Sequence, residues 1–135
     1  MQNFESITKG IVNFLKADEI VASNNKITFG YSITTLPNPL RKIYTVVKPQ
    51  KMTVEEIAQE GSSYTKVILY TIGLSLHKAE GENPSNLLSK FSSILEAFEE
   101  STSYTVYNAG FNELKRDADS NSIILPAYIT FKMYY

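Results

Sequence analysis

Residues 83–100 read NPSNLLSKFSSILEAFEE, and Leu87, Leu88, Phe91, Ile94, Leu95 and Phe98 recur within them at helical spacing, giving one apolar stripe along a helix. Asn83 is placed to cap the first free backbone N–H groups, and Pro84 suits a first turn where its missing N–H costs nothing. A stripe of that width needs a flat apolar partner. The segment before it offers one: from Tyr64 to Lys78, Ile68, Tyr70, Ile72, Leu74 and Leu76 share one face of a long strand. Val67, Leu69, Thr71, Gly73, Ser75 and His77 share its other face, apolar at one end and small or polar at the other. The segment after the helix closes with a second alternating run, Ile123, Leu125, Ala127, Ile129, Phe131, Met133 and Tyr135. Pro126 interrupts that run's ladder and predicts an edge or a bulge there.

Outward from this unit the pattern continues. Phe4, Ile7, Ile11, Phe14 and Leu15 predict a first helix over about 3–17, with Asn3 as a possible cap and Gly10 weakening it by roughly 1 kcal/mol. After the polar turn at Ser23 to Lys26, Ile27, Phe29, Tyr31 and Ile33 alternate with small or polar residues as in a half-buried strand. Pro37 and Pro39 break it, and a strand over about Arg41 to Val47 can return antiparallel as a hairpin. Residues 49–65 predict a long, mobile loop, in which Thr53 to Glu56 has capping-box spacing and Met52, Val54 and Ile57 supply apolar contacts. Tyr104 to Tyr107 reads as a short strand, with a turn or bulge at Asn108 to Gly110 and a polar turn from Arg116. The expectation is one α+β domain over 1–135: a mainly antiparallel sheet, with an N-terminal helix and a central amphipathic helix packed on one face.

Composition narrows the function classes. The 135 residues carry a net charge of -1, so nothing in the balance argues for a polyanion partner or for disorder. No cysteine is present, which excludes disulfides and thiolate metal sites, and nine Tyr with seven Phe favour strands. The N-terminus has no signal-peptide pattern and no apolar run reaches membrane-spanning length. His77 is the single histidine, so a multi-histidine metal site is excluded; beside Lys78 and Glu80 it reads as a surface or rim residue. No Gly-x-Ser-x-Gly elbow accompanies it. Asp117, Asp119 and Asn121 have the outline of a calcium loop without its central Gly or its bidentate Glu. Gly30, Gly61, Gly73, Gly81 and Gly110 stand apart and make no phosphate cradle. Lys48, Lys51 and Lys66 are offset by Glu55, Glu56 and Glu60, which argues against sequence-specific nucleic-acid binding. No catalytic residue, cofactor or metal is expected, and the chain reads as one that binds other proteins or itself.

The order of elements resembles the tail terminator and tail-completion proteins of long-tailed bacteriophages and phage-tail-like particles. ITKGIVNFLKA carries the likeness for the first helix, KVILYTIGLSLHKAEGENPSNLLSKFSSILEAF for the strand–turn–helix unit and SIILPAYITFKMYY for the last strand. Minor capsid and head–tail joining proteins have a similar texture. The resemblance implies a structural virion protein, assembled in the host cytoplasm. Six copies would form a ring that caps the tail tube, stops its elongation and offers a docking surface to a head-completion or connector protein. The expected partners are copies of the chain, the tail tube protein and the head side; no membrane is implied. A ring needs a heterologous interface that closes. The candidate contacts are Met52, Val54 and Ile57 on the 49–65 segment and Thr71, Gly73 and Ser75 on the weaker face of the long strand. The competing expectation is a small α+β ligand-binding module whose sheet and helix enclose an apolar, tyrosine-lined pocket.

Overall fold

A computed structural model describes residues 3–30, 41–58, 64–79, 81, 83–118 and 121–134, with the side chains of residues 56–58, 64 and 65 left out. The elements in chain order are α1 (Phe4–Ala17), α2 (Glu19–Ala22), β1 (Asn25–Phe29), β2 (Ile43–Ala58), β3 (Tyr64–Ala79), α3 (Ser85–Glu100), β4 (Val106–Phe111), β5 (Lys115–Asp117) and β6 (Ser122–Tyr134). The fold is α+β. Six strands form one sheet in the order β1-β2-β3-β6-β4, with β5 also paired to β6. β1 runs parallel to β2, and every other pairing is antiparallel.

The even-numbered residues of β3 meet the helices, as their alternation predicts. Tyr70, Ile72, Leu74 and Leu76 are buried with Leu125, Ile129 and Phe131 of β6 and with Leu87, Phe91, Ile94 and Phe98 of α3. Aromatic rings join the layers. Phe98 stacks on Phe14 of α1 at 5.1 Å and meets the edge of Phe131 at 4.9 Å, and Tyr104 lies within 5.6 Å of all three ring centres. Each such pair adds about 1 kcal/mol to the area it buries. Leu88, counted in the stripe from spacing alone, is instead exposed. At the start of α3 the Ser85 N–H donates to Oδ1 of Asn83 (3.1 Å), as expected, while Pro84 stands at the N-cap position and not in the first turn. In α1 the Glu5 N–H donates to the Asn3 side chain (2.8 Å).

Polar groups tie the helices to the sheet. The hydroxyl of Tyr70, buried under α1, is hydrogen-bonded to Thr8 Oγ1, which in turn donates to the Phe4 carbonyl (2.7 Å). Asn25 Nδ2 donates to the Val21 carbonyl (3.0 Å) while its Oδ1 accepts from Thr45 (2.8 Å), so α2, β1 and β2 share one buried bond chain. Lys90 of α3 donates to the carbonyls of Ile20 and Ser23, each at 2.9 Å, satisfying orphan acceptors at the end of α2.

Further sequence expectations change. β1 and β2 are parallel, pairing Asn25 with Ile43 through Phe29 with Val47, and not an antiparallel hairpin. Tyr31 and Ile33, Pro37 and Pro39 lie outside the described residues. The loop expected over 49–65 is strand over most of its length: β2 continues through Pro49 to Ala58, with a register shift between Pro49 and Lys51, and β3 begins at Tyr64. Gly61 to Ser63 lie outside the described residues. Pro126 is at no edge, because β6 runs between β3 on one side and β4 and β5 on the other. Its carbonyl accepts from the Asn112 N–H (2.8 Å), in the interval between the end of β4 and the start of β5. The ring nitrogen points the same way, into that interval, so β6 loses no bond to β3. His77, expected at the surface, is 3 % exposed.

Candidate interaction surface

Two surfaces stand out, and they lie on opposite faces of the β2–β3 hairpin. The first is an edge. β1 covers β2 only from Ile43 to Val47, so beyond that point the outer side of β2 has no strand partner among the described residues. Pro49 fits there: with Val47 bonded toward the β1 side through the Gly30 N–H (3.1 Å), Pro49 also turns its nitrogen outward, where no ladder donor is needed. Further along, Met52 and Val54 pair with Tyr70 and Ile68 and so share the helix-bearing face. Their partners are buried, but Met52 is 43 % and Val54 40 % exposed. Among the described residues the edge thus offers both unpaired backbone groups and an apolar step. Proteins usually blunt such an edge or cover it. Ile57 is part of β2, and its side chain lies outside the described residues.

The second surface is the sheet face away from the helices. Thr71, Gly73 and Ser75 lie there, so the six residues picked from sequence do not form one patch. Thr71 and Thr130 hydrogen-bond to each other across β3 and β6 (2.7 Å). Gly73 and Ser75 line a groove of about 370 Å³ together with Lys48, Gln50, Asn112, Lys115, Ile124, Pro126 and Tyr128. Two glycines shape it. A Cβ on Gly73 would stand 2.7 Å from Gln50 Oε1, and one on Gly110 would stand 2.8–3.0 Å from the hydroxyl end of the Tyr128 ring. Gln50 and Tyr128 therefore lie down over bare backbone, and the sheet is left hollow between them. Nearer the chain terminus, Lys132 sits over the rings of Tyr107 (5.9 Å) and Tyr134 (5.6 Å). Sequence spacing placed Gly73 and Ser75 correctly on this face. It gave no sign that Lys48, Gln50, Lys115 and Tyr128 converge there, because that depends on the strand order.

His77 belongs to the same face, in register with Tyr44 and Ile124. Its Nδ1 is buried without a hydrogen-bond partner among the described residues. Burial holds the imidazole below its ordinary pKa, and the carboxylate of Asp117 works in the opposite direction. A larger hollow of about 770 Å³ opens at the start of α1, between Ile7, Tyr104, Phe131, Met133 and Tyr134, with Asn3 and Ser6 at its polar side. Among the described residues no group of three or more acidic or histidine side chains is arranged to hold a metal ion, and no helix is long and apolar enough to cross a membrane. Comparison with models of known protein families finds no match, and neither does comparison with curated proteins.

Proposed function

We propose that this chain is a structural assembly protein of a long-tailed phage or phage-tail-like particle, a terminator that closes as a ring on the tail tube. In that role it ends tube growth and presents a surface to the head or its connector. One observation carries the reading: the outer edge of β2 beyond Val47 has no strand partner among the described residues and bears the exposed Met52 and Val54. An unpaired strand that also offers apolar side chains is suited to a neighbouring chain. The element order adds support, since the first helix α1, the strand–turn–helix unit of β3 and α3 and the closing strand β6 are the parts on which the resemblance rests. The role asks no covalent chemistry of the chain; it asks for a monomer that holds its shape and an edge that a neighbour completes.

Native mass spectrometry of the chain alone, and then with a tail-tube protein, tests this reading. A six-fold species in either sample is the expected result. A strict monomer in both contradicts it. The hollow at the start of α1 then becomes the relevant site, because Tyr104, Tyr134 and Phe131 give it the aromatic lining that a ligand-binding module needs.

A further inference from the structure

We infer that the groove between Lys48 and Lys115 receives the acidic C-terminal end of α3 from a second copy of this chain. This rests on the ring reading and names the contact that would close the ring.

Both halves of the contact carry unmet charge. Lys48 and Lys115 are exposed and have no ion-pair partner among the described residues, and no described residue that lines the groove is a carboxylate. At the end of α3, Glu96, Glu99 and Glu100 are exposed, equally without an ion-pair partner, and the last turn holds no basic residue. Carboxylates there add to the negative end of the helix dipole, so each is unfavourable in the free chain. A cation brought from outside turns that cost into a gain. The groove has the right span as well. Lys48 is on β2 and Lys115 on β5, and the strands lie in the order β2, β3, β6, β5. Three strand spacings make about 14 Å, against about 10–12 Å for the width of a helix. Between the two lysines, Gln50, Asn112 and Tyr128 add hydrogen-bonding groups for the carboxylates.

The charges cannot meet within one molecule, because α3 packs on one face of the sheet and the groove is on the other. Phe98 of α3 meets Phe131 on the helix side, whereas Gly73 and Tyr128 belong to the opposite side. Two unlike patches on opposite faces make a heterologous contact, which builds a ring when its rotation closes and a filament when it does not. A two-fold dimer cannot use it symmetrically.

The test mixes equal amounts of ¹⁴N- and ¹⁵N-labelled chain with a tail-tube protein and joins contacting amine and carboxylate groups with a carbodiimide. The expected crosslinks are of mixed isotope and connect Lys48 or Lys115 with Glu96, Glu99 or Glu100. The charge-reversed chains Lys48→Glu/Lys115→Glu and Glu96→Lys/Glu99→Lys/Glu100→Lys each assemble roughly tenfold less well alone. Mixed together they recover, because the acidic groove of one meets the basic helix end of the other. All five positions are exposed, and circular dichroism confirms that each variant is folded. Wild-type assembly without those crosslinks, and indifferent to both reversals, overturns this contact while leaving the ring reading in place. Failure of the wild type to assemble at all overturns both.

Discussion

At the scale of single residues, His77 has the most direct thermodynamic consequence. It is the only histidine, so no other side chain has its ordinary titration between the carboxylates and neutral pH. Burial depresses its folded-state pKa below the ordinary 6.5, with Asp117 offsetting part of the shift. Below pH 6.5 the unfolded chain binds this proton and the folded chain resists it, so the stability held above 6.5 is lost as pH falls toward the folded-state value. Urea unfolding at pH 7.5, 6.5 and 5.5 should show a decline in the wild type and a flatter profile in His77→Gln. Parallel profiles would remove His77 as the cause. The burial could not be read from sequence. Lys78 and Glu80 follow His77 closely in the sequence, and only the pairing with Tyr44 and Ile124 places it under cover.

Gly73 and Gly110 give a second residue-scale contrast. Neither has positive φ, so alanine suits both backbones, and each would gain about 0.5–1 kcal/mol from a stiffer unfolded chain. The neighbours decide the sign. At Gly73 the added methyl meets the end of the Gln50 side chain, which can swing away; at Gly110 it meets the ring and hydroxyl of Tyr128. Gly73→Ala should therefore be neutral or slightly stabilising. Gly110→Ala should cost about 1 kcal/mol, the overpacking exceeding the entropic gain. Thermal or urea melts of the pair check this, and equal effects would mean that Tyr128 moves as freely as Gln50.

At the scale of elements, α3, β3 and β6 were legible because two periodicities declare themselves: the 3.6-residue stripe through Phe91, Ile94 and Phe98, and the twofold alternation through β3 and β6. β2 was not legible past Val47. Pro49 reads as a terminator when its neighbour strands are unknown, yet it is harmless where the nitrogen faces an edge with no strand partner among the described residues, and a bulge at Gln50 absorbs the change of register. β1 was misread for a related reason. The default for two nearby strands is a hairpin, but the stretch between Phe29 and Ile43 is as long as a parallel crossover requires. The exposed side chains of β2 now carry their own prediction. Met52→Lys and Val54→Lys should leave monomer stability within about 0.5 kcal/mol, as surface substitutions do, while reducing assembly on the tail tube. A large loss of stability in either variant would show that the side chain serves the monomer's own core.

At the scale of the whole molecule, the sheet separates two kinds of contact, and salt distinguishes them. The edge with Met52 and Val54 shares the face of the helices, and association through it would be driven by apolar burial and backbone pairing, which added NaCl leaves largely intact. The groove on the opposite face would bind through Lys48 and Lys115, and exposed ion pairs weaken as the Debye length shrinks. A ring that uses both should assemble less readily as NaCl rises from roughly 0.05 to 0.5 M, over which the screening length falls from about 14 to 4 Å. The chain that carries Lys48→Glu/Lys115→Glu should start lower and lose the dependence or reverse it, since salt then screens repulsion. Met52→Lys/Val54→Lys should start lower and keep the wild-type slope. Sedimentation velocity on each chain with a tail-tube protein gives the three slopes. If the wild-type slope is flat, the edge alone holds neighbouring copies together and the groove is left without a part in assembly. If it is steep in all three, the charges that matter lie elsewhere on the surface.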